Sequence, residues 1–208
     1  MQDYNIGGHD PFSTLCFEWS EVYKPTNSMT ITIKDFQSSH DMILLANHDV
    51  TSVFDEYFLL ELYTPTILNK GDVEHSYGGR YANGPSAAGI RLWHVDARLL
   101  YLENPYSLNP SNITTDPTNR SYGVYLMMSN SYDNSHGSFL GGNYLNYNLL
   151  QCIRNDRSES YKPGSAISNN SLFRNGSSFN ISTFIFSSSS LLGLYFESNK
   201  VLYILFPH

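Results

Sequence analysis

The sequence predicts a mainly β fold: an antiparallel sandwich or strongly bent sheet with one short N-terminal helix. Three observations predict it. Hydrophobic residues make up 41% of the 208 residues against 15% charged, so a sizeable core is available and the composition argues against disorder or a coiled coil. Sixteen Tyr and twelve Phe favour strands. Short apolar or alternating runs recur along the chain, separated by Gly-, Asn-, Ser- and Pro-rich stretches.

The helix comes first. Asp10 is placed to cap it with Pro11 at its first position, and Phe12, Leu15, Cys16 and Trp19 form its apolar side. Met29 to Phe36 alternates apolar and polar, the period of a half-buried strand. Asp41 to Ala46 and Tyr57 to Tyr63 read as strands covered on both faces. Residues 65 to 87 hold two Pro and four Gly and read as a long loop. Ile90 to Asp96 and Leu99 to Glu103 are strands, followed by a second polar loop from Asn104 to Arg120. Tyr122 to Ser129 returns to strand character, and Leu145 to Ile153 fits a short helix or a strand. Phe179 to Phe186, Leu191 to Phe196 and Val201 to Phe206 read as three closing strands.

Several function classes are disfavoured. With net charge −7 and no cluster of Lys or Arg, the chain has no electrostatic footprint for nucleic acid. No apolar run reaches the ~18 residues of a transmembrane helix, and the first residues have neither a basic nor an apolar signal region. Cys16 and Cys152 lack a C-x-x-C neighbour, which leaves one disulfide or two buried thiols. There is no G-x-S-x-G elbow and no phosphate-loop spacing.

The most informative stretch is Ala87 to Leu99. His94, Asp96 and Arg98 interrupt an apolar run, and burying such groups without partners costs several kcal/mol, so each needs a defined partner. On a strand His94 and Asp96 share one face, with Glu56 or Glu61 of the earlier strand as candidate neighbours. Two readings stand side by side. The cluster Glu56, Glu61, His94, Asp96 and Arg98 is either a hydrogen-bonded network that fixes strand register or a polar site. In the second case it is a polar cluster of a substrate groove or a calcium site, the ion held by the oxygens of Asp55, Glu56, Glu61 and Asp96.

The run Gly89-Ile90-Arg91-Leu92-Trp93-His94-Val95-Asp96-Ala97-Arg98-Leu99 also resembles the G-[IV]-x-[IL]-[YW]-H-V-D-A-R-L element of secreted zinc metallopeptidases related to immune inhibitor A, the peptidase M-six family. Phe54 to Glu61 resembles that family's F-D-E-Y-x-L-[LI]-E strand, Tyr63 to Thr66 its Y-T-P-T, and Ser171-Leu172-Phe173 with Gly176 its S-L-F-x-x-G element. The opening Met1 to Ser13 resembles the methionine turn beneath the family's zinc. There Met1, Asp3, Tyr4 and Asn5 match, and Gln2, Gly8 and Asp10 depart from the pattern. His9 matches a position near the floor of the metal site.

The resemblance implies a secreted or cell-surface protein. It also implies that residues 1–25 are a methionine-turn remnant and short helix of a catalytic domain, with 26–208 a β-rich C-terminal region. Zinc is the parent family's cofactor, bound by H-E-x-x-H on a helix. No such spacing occurs in residues 1–208, so the resemblance implies the C-terminal portion of a metalloendopeptidase, inactive alone. Its expected partners are the catalytic half or a peptide or protein substrate. A reading of a different class is a stand-alone extracellular β module that binds protein or glycan through aromatic side chains.

Overall fold

The computed structural model describes residues 8–46, 48–75, 83–102, 113–116, 118, 124–127, 149–156, 167–180, 193–198 and 200–205. Helix α1, Pro11–Cys16, starts where the sequence places it: the Asp10 side chain accepts from the Ser13 N–H at 2.8 Å and Pro11 occupies the first turn. It stops sooner than the apolar pattern suggests. Glu18 takes a left-handed φ of 57°, and the Trp19 N–H returns to the Thr14 carbonyl at 2.9 Å, a Schellman-type stop. Trp19 therefore lies outside the helix. Exposed, it packs against exposed Phe17 with ring centroids 4.8 Å apart.

Strands dominate the rest. β1 (Val22–Tyr23) and β2 (Met29–Thr32) precede a single helical turn, α2 (Phe36–Ser39). The strand expected through Phe36 thus ends at Thr32. Asp35 opens α2, and the Ser38 and Ser39 hydroxyls donate to its carbonyl, local hydrogen bonding that competes with an extended chain. β3 (Met42–Leu45) and β4 (Glu56–Tyr63) follow as expected, covered on both faces except at Glu56. The predicted loop after β4 contains a 3₁₀ turn, Ile67–Asn69, and α3, Lys70–Glu74. The Asn69 side chain holds this start by donating to the Thr64 carbonyl at 3.0 Å.

β5 (Gly89–Asp96) and β6 (Leu99–Leu102) match the sequence reading, and β7 (Ile113–Thr114) lies inside the predicted second loop. β8 is Val124–Met127, and β9, Leu150–Ile153, resolves the helix-or-strand alternative as strand. β10 (Ser178–Asn180) overlaps the first closing segment at Phe179 and Asn180, residues 181–186 lying outside the described residues, and β11 (Gly193–Phe196) and β12 (Val201–Leu205) lie within the other two.

The described residues form three sheets, in the orders β1-β3-β4-β5-β9, β10-β11-β12-β2 and β7-β6-β8. Among the described strands pairing is antiparallel except for the short β1–β3 pair, which is parallel, and Asp35 makes an isolated parallel bridge to Leu62. The fold is mainly β, and the five-stranded sheet is its centre. Alternation along β4 sends Phe58, Leu60 and Leu62 to one face, where they share a core with Leu194, Phe196, Leu202 and Ile204 of the four-stranded sheet. Tyr57 and Leu59 point the other way and pack with Phe12 of α1, Phe36 of α2 and Val95 of β5. Each such side chain contributes about 1.5–3 kcal/mol by leaving water. Double coverage makes β4 an apolar run rather than an alternating one.

The thiols follow neither sequence alternative. Cys16 and Cys152 are both unbridged; Cys152 is buried, but Cys16 is exposed because α1 turns it away from the core.

Candidate functional site

β4 and β5 pair along their full length, and this register assembles the ionisable residues. Glu56 lies opposite Asp96, Phe58 opposite His94, and Glu61 opposite Arg91. Because side chains alternate, the result is two clusters on opposite faces of one strand pair.

The first cluster holds Glu56, His94, Asp96 and Arg98. The Arg98 guanidinium donates to both Asp96 oxygens at 2.8 Å, a forked geometry, and its Nη2 also lies 3.0 Å from Glu56 Oε2. His94 Nε2 sits 3.0 Å from Glu56 Oε1. Every oxygen of the two carboxylates is therefore engaged. Asp55 extends the cluster: its Oδ1 accepts from the Glu56 N–H at 2.8 Å and lies 3.0 Å from His48 Nε2, and its carbonyl accepts from the Ala97 N–H. Burial pushes the Glu56 carboxyl up. The His94 hydrogen bond and the Arg98 and His charges outweigh that and hold it below the ordinary glutamate range.

The second cluster is Glu61, Arg91 and Trp93. Glu61 is fully buried; its Oε1 lies 2.7 Å from Arg91 Nε and accepts from the Trp93 indole N–H at 2.8 Å. Arg91 stacks over the Tyr63 ring, 4.7 Å from its centroid, and lies 5.6 Å from that of Trp93. Burial raises the Glu61 carboxyl, against the opposing pull of Arg91 and the Trp93 hydrogen bond. Burial likewise lifts the Cys152 thiol to about 12, which leaves it protonated and inert.

His94, Asp96, Arg98 and Glu56 thus come together as the sequence anticipates, and Glu61 does not join them. Its position lies an odd number of residues from Glu56, which turns it to the other face. Its partner is Arg91, for which an arginine inside the apolar run is the sequence signal. Met1, Asp3, Tyr4 and Asn5 lie outside the described residues. His9 is exposed and meets Phe17 and Trp19 edge-on, at 6.4 and 5.5 Å between ring centroids.

The oxygen set Asp55, Glu56, Glu61 and Asp96 does not converge, since Glu61 faces away. Among the described residues no three His, Cys, Asp or Glu side chains are grouped to hold a metal ion. The arrangement pairs charges, fixes the β4–β5 register and ties the turn into β6 to the central sheet. Among the described residues no helix is long and apolar enough to cross a membrane. No family model, curated protein or solved structure matches this chain.

Proposed function

We propose that this chain is the β-rich, non-catalytic portion of a secreted zinc metalloendopeptidase resembling immune inhibitor A. In the complete enzyme it braces the catalytic half, and alone it is inactive. One observation supports the reading most. The two sequence blocks that carry the resemblance, 54–61 and 89–99, lie beside each other as β4 and β5, and their ionisable side chains pair with one another, although the buried Glu61 Oε2 is left without a hydrogen bond among the described residues. Such groups hold a scaffold rather than attack a bond. Catalysis in this family type rests on H-E-x-x-H, which residues 1–208 do not contain.

The test is casein hydrolysis by the purified chain, with and without zinc and with chelator. No chelator-sensitive cleavage is expected. Cleavage that a chelator abolishes would overturn the assignment of a non-catalytic part.

A further inference from the structure

One flank of the molecule holds a groove of about 530 Å3 between β1, β2 and β3. β1 ends the five-stranded sheet and β2 ends the four-stranded one, and residues of both line it. The β2–β12 ladder shows what β2 offers there. The Ile33 N–H donates to the Lys200 carbonyl at 3.0 Å, and the antiparallel register runs Thr32↔Val201, Ile31↔Leu202, Thr30↔Tyr203. Hydrogen-bonded pairs alternate in such a ladder, so Met29, Ile31 and Ile33 turn their backbone toward β12. Thr30 and Thr32 turn theirs outward. Among the described residues no strand pairs with that edge.

The side chains are unfinished in the same way. Leu202 and Ile204 of β12 are fully buried, whereas Met29 and Ile31 beside them on β2 are only half-buried. Val22 and Met42 line the groove further in, and its charged lining is acidic, from Glu21 and Asp41.

We propose that this edge receives an extended segment of another polypeptide as an added strand. Its backbone pairs with Thr30 and Thr32, alternate apolar residues cover Met29 and Ile31, and Lys or Arg faces Glu21 and Asp41. Charge selects this occupant over a second copy. Two copies joined edge to edge would bring the same acidic rims together on chains of net charge −7. β2 spans about 13 Å at the usual rise, so about six residues suffice. This inference is independent of the peptidase reading.

The experiment is fluorescence anisotropy of the 208-residue chain with a fluorescein-labelled peptide, acetyl-Lys-Val-Thr-Val-Lys-Val-amide, beside its Glu-for-Lys counterpart. Thr30→Pro removes one outward N–H and leaves the β12 ladder intact. The basic peptide is expected to bind at least about tenfold more tightly than the acidic one, and Thr30→Pro to weaken it about tenfold with the melting curve unchanged. The double variant Glu21→Lys/Asp41→Lys should reverse the preference. Should Thr30→Pro unfold the chain, a peptide N-methylated at alternate amides reads the same hydrogen bonds from the ligand side. The proposal is overturned if wild type fails to bind the basic peptide, if both peptides bind alike, or if removing the hydrogen bonds from either side leaves affinity unchanged. It is equally overturned if sedimentation shows copies associating through β2 to the exclusion of the peptide.

Discussion

Glu56 and Glu61 stand on one strand, yet the environments of its two faces drive their carboxyls in opposite directions. The Glu56 carboxyl is held low in the fold, so the unfolded chain binds its proton more readily. Its contribution is present at neutral pH and is lost as pH falls through the folded value. The Glu61 carboxyl is raised by burial, so the folded state holds that proton more firmly, and its contribution declines as pH rises through its folded value. Denaturant titrations across acid pH should therefore give opposite slopes. The stability gap between wild type and Glu56→Gln widens as pH rises, and that for Glu61→Gln narrows; parallel slopes would refute the assignment. Removing the carboxylate from the second cluster is a harsher change. Glu61→Leu strands Arg91 and should cost about 3–5 kcal/mol, while Glu61→Leu/Arg91→Met should lose less than Glu61→Leu alone. A double mutant that is the sum of its singles would show the pair to be uncoupled. The thiols give a simpler reading: a disulfide reagent should label only Cys16 in the native chain and both cysteines in denaturant.

At the scale of elements, parity was legible and register was not. The alternation around His94 and Asp96 placed both on one face from sequence alone. Whether Glu56 or Glu61 lay beside them depended on how β4 slides along β5, and a one-residue slip exchanges the faces. β2 shows the other limit: its alternation runs past Thr32 to Lys34, but side-chain hydrogen bonds to the Asp35 carbonyl turn the chain into α2. α1 was legible at its start, where Asp10 and Pro11 carry the signal. Its end was not, because a left-handed Glu18 has no sequence signature comparable to glycine. Gly89 makes a sharper prediction. A Cβ there would meet the Leu172 Cβ at 2.8 Å and the Phe173 carbonyl at 3.1 Å, where residues 171–174 pass over the start of β5. Gly89→Ala should destabilise by about 1–3 kcal/mol, measured by chemical denaturation; a neutral change would mean this segment packs less closely.

For the whole molecule, the central sheet is the organising unit, with the four-stranded sheet on one face and α1 and α2 on the other. The sequence made this mainly β architecture readable because its apolar runs are short and broken by turn residues. Which strands share a sheet was not readable, since β2 joins β12 from the far end of the chain and β9 joins β5 across 53 residues that include β6 to β8. The proposed role also lives at this scale, as a scaffold whose catalytic helix is encoded elsewhere. The most direct measurement is the genomic sequence in frame ahead of the Met1 codon, together with the mass of the native protein. An in-frame H-E-x-x-H on a mature protein larger than 23.6 kDa is the predicted result. A native protein whose translation starts at Met1 would contradict it and leave a stand-alone binding module.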